Sequence, residues 1–147
     1  HPYVATIYNN LAILYSSQRQ YTEAESLFKT SLELRRRLLG EEHPDVASSY
    51  NSLALLYSSQ GRYTEAEKLY KEAIDIMRRL LGEEHPYVAT IYNNLALLYS
   101  SQRRYTEAEP LCKKALTIFE QQLGMEHPNT ITVRNNLEKL RNKIGYL

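Results

Sequence analysis

The stretch HPYVATIYNNLA at residues 1–12 occurs again, unchanged, at residues 85–96, and a diverged copy begins at His43. The dipeptide His-Pro that opens each copy stands at residues 1, 43, 85 and 127, at a constant spacing of 42 residues. Self-similarity at a fixed period between about 20 and 50 residues is typical of solenoids and repeat arrays. The period therefore predicts three full repeats, 1–42, 43–84 and 85–126, followed by a half-repeat at 127–147.

Each full repeat predicts two helices joined by a short turn. Apolar residues form two stripes along the first helix, which indicates that this helix packs on two sides. The stripes consist of Val4, Ile7, Leu11 and Leu14, and of Tyr8, Ala12 and Tyr15. The second helix is expected to open with a capping box made by Thr22 and Glu25 and to end at Gly40. Pro110 is expected in the first turn of its helix, where a missing N–H costs little.

The repeat resembles the tetratricopeptide pattern, W-x2-L-G-x2-Y followed by A-x3-F. Here the corresponding residues read Tyr8-x2-Leu11-Ala12-x2-Tyr15 and then Ala24-x3-Phe28. The 42-residue period, with its YNNLA, QxRYxEAE and LGxxHP segments, is similar to the repeats of kinesin light chains and related bacterial arrays. The resemblance implies an all-α fold, an α-α superhelix (a TPR-like solenoid) of three helix pairs plus a C-terminal capping helix. We expect a single repeat domain over residues 1–147.

The half-repeat at 127–147 is expected to be a C-terminal cap, because one of its stripes is charged where the full repeats are apolar. Arg134, Glu138 and Arg141 stand there in place of the stripe formed by tyrosine and alanine. The first helix of the chain has no such substitution. Unless an earlier repeat covers it, this N-terminal face resembles an internal interface, and stacking of a second molecule there through the self-association residues Val4, Ile7, Leu11 and Leu14 is an alternative function.

Composition and pattern exclude several function classes. The 18 basic and 17 acidic residues nearly balance, so neither nucleic acid nor a membrane surface is an expected partner. The sequence has no membrane-spanning apolar run and no signal peptide, which favours a cytoplasmic location. The histidines and paired glutamates recur in equivalent surroundings in every repeat, and Cys112 occupies a core position. We therefore predict no catalytic residue, no metal and no cofactor.

One further stripe of the first helix belongs to neither packing face. Its small hydroxyl and amide side chains suit pairing with a peptide backbone, and the resemblance implies a concave groove that holds extended peptides. The predicted groove residues are Thr6, Asn9, Ile13, Ser16, Ser48, Asn51, Leu55, Ser58, Thr90, Asn93, Leu97, Ser100 and Asn135. The predicted function is a non-catalytic protein–protein interaction scaffold whose partner is a protein or peptide ligand.

The predicted groove residues include no lysine or arginine, which argues against the carboxylate clamp found in some tetratricopeptide modules. Two alternatives remain. One is structural self-assembly into a homo-oligomer through the N-terminal face. The other is an array with no selected ligand, in which Asn9 and its copies only tie neighbouring first helices together.

Overall fold

The computed structural model of the protein describes residues 1–145, without the side chain of Pro2. The last two residues of the predicted capping half-repeat lie outside the described residues. The described residues form seven helices, arranged as three helix–turn–helix pairs and a final helix, which confirms the all-α fold class. The helices are α1 (Pro2–Ser17), α2 (Tyr21–Leu39), α3 (Pro44–Ser59), α4 (Tyr63–Leu81), α5 (Pro86–Ser101), α6 (Tyr105–Leu123) and α7 (Pro128–Gly145).

The chain divides into two compact units, unit 1 (His1–Ile76) and unit 2 (Met77–Leu147). In unit 1, α1 packs against α2, and α2 packs against α3. In unit 2, α5 packs against α6, and α6 packs against α7. Within each unit a second helix thus lies between two first helices, so α2 and α6 each pack on two sides.

The first helices begin with a histidine that caps them. The Nδ1 atoms of His43, His85 and His127 accept hydrogen bonds of 3.0, 3.1 and 3.1 Å from the backbone N–H two residues further on. The proline after each histidine occupies the first helical turn, where its missing N–H would have no intrahelical partner.

The helices α2 and α6 do not use the predicted capping box, and that expectation is wrong for both of them. The helix α2 begins at Tyr21 with Gln20 as its N-cap, and no side chain caps it. Thr22 therefore lies inside the first turn instead of before it. The Glu25 carboxylate instead lies 2.7 Å from both Lys29 Nζ and Arg62 Nη1. These cations outcompete the backbone N–H for the carboxylate because charge-assisted hydrogen bonds are the stronger ones.

The position of Pro110 also differs from the expectation. Since α6 begins at Tyr105, Pro110 is its sixth residue and lies beyond the first turn. A proline here removes the hydrogen bond that its N–H would give to the Thr106 carbonyl. The side chain is exposed. The ring therefore clashes with no packed neighbour, although the lost hydrogen bond is a real cost.

Residues with a positive φ, most of them glycines, stand at the ends of the second helices and in the turns inside the repeats. Gly40 and Gly124 end α2 and α6 with φ of 85° and 89°, as predicted. The turn between first and second helix also needs a left-handed residue, which is Gly61 in the second repeat. Arg19 and Arg103 take this conformation in the other two repeats, with φ of 60° and 61°. A side chain with a Cβ is strained there.

The two predicted stripes are buried in the interior repeats. Leu53 and Leu95 are 4% and 3% exposed, and Tyr57 and Tyr99 are each 5% exposed. Tyr57 and Tyr99 are therefore core residues, as expected. On α7 the apolar stripe is buried while Glu138 and Arg141 are exposed. The charged stripe predicted for this helix is therefore exposed at these two residues, and its role as a C-terminal cap stays a prediction.

Candidate functional site

The unit 1 groove is a cavity of about 360 Å³ between α1 and α3, with α2 beneath it. Ile13 and Leu55 form apolar walls, and Phe28 on α2 contributes to the floor. Serine hydroxyls complete the lining, which contains no charged side chain. These serines are Ser16, Ser17, Ser52 and Ser59. The unit 1 groove therefore offers apolar contact surrounded by small hydrogen-bonding groups.

The unit 2 groove is a cavity of about 280 Å³ between α5 and α7, with Cys112 of α6 in its lining. Asn93, Leu97 and Ser100 line the α5 side. The α7 side is lined by Asn136, Lys139, Leu140 and Lys143. This groove combines an apolar wall with amide groups and two ammonium groups. It is cationic, because its lining contains no carboxylate to balance the two lysines.

A smaller cavity of about 130 Å³ lies near the start of α5 and α7, and Thr90, Asn93, Asn129 and Thr132 line it above Phe119. These three cavities bring together about half of the predicted groove residues. Thr6, Asn9, Ser48, Asn51, Ser58 and Asn135 line none of the three. The peptide-binding role of the whole predicted set stays a prediction.

The asparagines of the predicted stripe differ between the two units. In unit 2, Asn136 Nδ2 lies 3.4 Å from Asn93 Oδ1, so the amide of Asn93 is partly used to tie α5 to α7. In unit 1, Ser52 occupies the position equivalent to Asn136. The Oδ1 atom of Asn9 is buried there and has no hydrogen-bond partner. The asparagine tie between neighbouring first helices, given above as a structural alternative, is therefore present between α5 and α7 and lacks its donor between α1 and α3.

Arg35 is a buried cation that lies outside the set of predicted groove residues. It is 7% exposed, and its Nη1 donates to Ser49 Oγ at 2.7 Å and to the Asp45 carbonyl at 3.2 Å. Its Nη2 lies 3.4 Å from Oγ1 of Thr6, a predicted groove residue. Burial lowers the pKa of the Arg35 guanidinium, and the Asp45 carboxylate partly offsets this effect. Within residues 1–145, Arg35 has no ion pair with a carboxylate.

The two lysines of the unit 2 groove differ in their surroundings. Lys143 Nζ lies 3.5 Å from the hydroxyl of Tyr105 and 5.2 Å from the centre of its ring. Lys139 is exposed, and no described residue forms a hydrogen bond or ion pair with it. Lys139 stands where the full repeats have Ile13, Leu55 and Leu97. The predicted stripe therefore has a cation at this position in α7, whereas the full repeats have an apolar side chain there.

Glu25 and Cys112 each have a structural role in this fold: Glu25 forms ion pairs, and Cys112 lies in the core. Burial raises the pKa of Glu25, but hydrogen bonds from Lys29 and Arg62 lower it further, so the pKa lies below its usual value. Burial raises the pKa of the Cys112 thiol to about 11, which makes it a poor nucleophile. Residues 1–145 contain no group of three or more potential metal ligands. They also contain no helix that is long and apolar enough to cross a membrane.

The residues that sequence reasoning missed share a simple geometric origin. Ser52 and Asn136 lie one position after the predicted asparagine stripe, on the helix that faces the preceding first helix across each groove. A groove between two first helices has two walls, one on each helix. Because the helices have equivalent sequences, one wall is formed by the predicted stripe and the other by the stripe that lies one residue further along the helix. The signal was available in the sequence as a polar column formed by Asn10, Ser52, Asn94 and Asn136.

Comparison with known families shows the same architecture. The profile described as "Tetratricopeptide repeat" matches residues 3–79, 46–109 and 87–145. No curated protein sequence matches the chain.

Several solved structures resemble the chain. BtubC (BKLC) from P. vanneervenii is 29% identical with a TM-score of 0.88, and the match covers 99% of this chain and 58% of BtubC. The TPR-like repeats of a kinesin-light-chain-like protein from Podospora anserina are 27% identical with a TM-score of 0.88, over 99% of this chain and 69% of that one. Aspartyl phosphate phosphatase F from Bacillus subtilis is 16% identical with a TM-score of 0.86 over 99% of this chain and 37% of its own, a likeness of fold alone.

Proposed function

Because the chain belongs to the tetratricopeptide repeat family, we propose that it is a non-catalytic scaffold that binds an extended peptide segment in the grooves between its first helices. Domains of this family are generally protein–protein interaction scaffolds and are typically non-catalytic. The observation that carries the proposal is the unit 2 groove, where Asn93, Leu97 and Ser100 of the predicted stripe share one open cavity.

The chemistry of the two grooves suits a peptide. Amides and hydroxyls can both donate to and accept from a peptide backbone. The apolar walls formed by Ile13 and Leu55 in unit 1, and by Leu97 in unit 2, can bury a ligand side chain. A small number of polar groups placed on a mostly apolar cleft is the usual composition of a ligand site.

Charge adds a preference to this proposal. Lys139 lines the unit 2 groove and has no partner among the described residues. A ligand carboxylate near Lys139 would gain a charge-assisted hydrogen bond. We therefore propose that the peptide carries at least one acidic side chain beside its apolar anchor, contrary to the expectation drawn from the predicted stripe alone.

The test is a screen of a displayed peptide library against the full chain and against a variant with Asn9, Asn51 and Asn93 changed to alanine. A matched control changes Glu33, Asp75 and Thr117 to alanine, which are exposed residues at equivalent positions of the second helices. The proposal expects a family of peptides that binds the parent and the control but binds the asparagine variant at least about tenfold more weakly. Absence of any binder, or equal binding by both variants, would favour an array without a selected ligand.

A second candidate, self-association through the N-terminal face, is favoured by a specific contrast in exposure. Ile7 and Leu14 on α1 are 63% and 53% exposed. Their copies on α5, Ile91 and Leu98, are 2% and 1% exposed. The two helices differ only at residue 13, so the exposed face of α1 has the composition of a packed interface.

Sedimentation equilibrium over a range of concentrations tests this second candidate. Association is expected to shift the mass from monomer towards dimer, and Ile7→Glu with Leu14→Glu is expected to keep the chain monomeric because buried carboxylates without partners are costly. A constant monomer mass in the parent chain at all concentrations would rule the candidate out.

A further inference from the structure

The unit 1 and unit 2 grooves share one wall and differ in the other. The shared wall belongs to α1 and α5, whose sequences are identical except that Ile13 corresponds to Leu97. The other wall belongs to α3 in unit 1 and to α7 in unit 2. On α3 it consists of Ser52, Leu55, Leu56 and Ser59. On α7 the equivalent residues, in the same order, are Asn136, Lys139, Leu140 and Lys143.

The α7 wall therefore adds two positive charges to a groove that is neutral in unit 1. Lys139 and Lys143 are four residues apart on one helix, so they lie on the same face and repel each other. Among residues 1–145, no carboxylate lines this groove or forms an ion pair with either lysine. Lys143 Nζ lies 3.5 Å from the Tyr105 hydroxyl, a neutral group that leaves the charge of the ammonium uncompensated.

We propose that the unit 2 groove recognises a phosphorylated side chain of the bound peptide, with the phosphate placed between Lys139 and Lys143. The proposal rests on the proposed function and names the chemistry of the acidic group that the peptide carries. A phosphorylated serine or threonine has a charge of about −1.5 to −2 at pH 7, which matches the two ammonium groups. A single carboxylate has one charge and leaves the second lysine without a partner.

The type of cation also favours phosphate over carboxylate. The planar guanidinium of arginine matches a carboxylate with two parallel hydrogen bonds, and no arginine lines this groove. Lysine binds phosphate as a compact point charge whose three N–H groups rotate freely. Two such charges on one wall suit a tetrahedral group with three acceptor oxygens.

The other lining groups supply further donors and an apolar surface. The amide of Asn136 has two N–H groups, and its contact with Asn93 Oδ1 at 3.4 Å uses one of them. The Ser100 hydroxyl also lines the groove and can donate to a phosphate oxygen. Leu97 and Leu140 add apolar contact for a neighbouring residue of the peptide. A phosphate attached to a peptide therefore uses more of this groove than a free phosphate ion.

The test uses three matched mixtures of random peptides that differ only in the central residue, which is phosphoserine, glutamate or serine. All peptides are amidated at the C-terminus, so that no terminal carboxylate competes for the lysines. Fluorescence polarisation measures their binding to the full chain. The phosphoserine mixture is expected to bind at least about tenfold more tightly than either of the others, since charge-assisted hydrogen bonds are the stronger ones.

Two variants use the unit 1 groove as the internal control. Lys139→Leu with Lys143→Ser gives the α7 wall the residues of α3 and is expected to abolish the preference for phosphoserine. Adding Leu55→Lys with Ser59→Lys to that variant transfers the two cations to the unit 1 groove and is expected to restore the preference. All four changed residues are exposed, so the substitutions leave the core untouched.

The outcomes separate this proposal from the proposed function. Equal binding of all three mixtures would overturn the phosphate site and leave peptide binding in place. Equal binding of the phosphoserine and glutamate mixtures, or a preference that survives Lys139→Leu with Lys143→Ser, would likewise overturn it. Failure of every mixture to bind would contradict both proposals.

A second measurement identifies the source of the phosphate. Inorganic phosphate is titrated into the full chain while NMR follows the side-chain amides of Asn93 and Asn136. The phosphoserine mixture is expected to bind at least about tenfold more tightly than inorganic phosphate, because the ion cannot use the apolar wall. Equally tight binding of the free ion would make phosphate itself the ligand and would contradict the peptide site.

Discussion

Arg35 Nη1 donates a 2.7 Å hydrogen bond to Ser49 Oγ, in a place where the other repeats put two apolar side chains together. The residues equivalent to Arg35 are Met77 and Phe119, and those equivalent to Ser49 are Ile91 and Val133. Both members of the pair, Arg35 in the first repeat and Ser49 in the second, therefore differ from their equivalents at this one junction between repeats. A buried guanidinium needs acceptors, and Ser49 with the Asp45 carbonyl supplies them beside α1.

The first prediction concerns this pair. Ser49→Ile alone is expected to destabilise the protein by about 3 kcal/mol, because it leaves a buried cation short of an acceptor. The double change Arg35→Met with Ser49→Ile copies the second-to-third repeat pair and is expected to restore or exceed the parent stability. Urea unfolding of the parent, both single variants and the double variant measures the coupling. Additive effects of the two changes would contradict it.

The second prediction concerns the unpaired amide oxygen of Asn9. Ser52→Asn copies Asn136, whose Nδ2 reaches Asn93 at 3.4 Å, and should place a donor near Asn9 Oδ1. The free energy of unfolding is expected to rise by about 1 kcal/mol because a buried acceptor gains a partner. The control is the same change in an Asn9→Ala background, where the gain should disappear. An equal gain in both backgrounds would show that Asn9 is not involved.

The third prediction concerns Thr130, whose hydroxyl is buried and has no hydrogen-bond partner. Val88 fills the equivalent position of α5 and is fully buried. Thr130→Val is expected to stabilise the protein by about 1–2 kcal/mol, since it removes an unsatisfied buried hydroxyl at nearly constant volume. The reverse change, Val88→Thr, is expected to destabilise by a similar amount. Thermal unfolding of the two variants measures both effects, and a neutral Thr130→Val would mean that the hydroxyl finds a partner.

The fourth prediction concerns the left-handed turn residues. Arg103→Gly is expected to stabilise the protein by about 0.5–1 kcal/mol, because glycine takes a φ of 61° without steric strain. The internal reference is Gly61, where Gly61→Ala should cost a similar amount. Chemical unfolding of the two single variants provides the comparison. A loss of stability in Arg103→Gly would show that the added conformational entropy of the unfolded chain outweighs the backbone strain removed from the turn.

The fifth prediction concerns Cys112. Because burial raises its thiol pKa to about 11, roughly one molecule in a thousand carries the thiolate at pH 8. Alkylation of the native protein at pH 8 is therefore expected to be far slower than that of a small thiol, and to become fast in denaturant. The thiol also lies against the Val133 carbonyl, at 3.6 Å, which restricts access further. Rapid labelling of the native chain would show that the unit 2 groove opens to Cys112.

Much of the fold could be predicted because the repeat presents the same local signals three times. The glycines at 40, 82 and 124, the prolines after the histidines and the two apolar stripes fix the helices and their buried faces. Their physical effects are local: φ preferences, missing donors and a helical period of 3.6 residues. The second-helix starts were predicted wrongly because Glu25 is drawn to Lys29 and Arg62, and the latter comes from the next repeat.

The sequence alone therefore determined the repeat, the all-α helix pairs and the charged face of the final helix. Tertiary structure alone decided which stripes form the two walls of a groove, that Asn93 bonds to Asn136, and that Arg35 sits buried beside Thr6. The physical reason is that helix formation follows from nearby residues, whereas the contacts Arg35–Thr6 and Asn93–Asn136 join residues 29 and 43 positions apart. Such pairs are set by how the helices dock, and the periodicity of one helix does not contain that information.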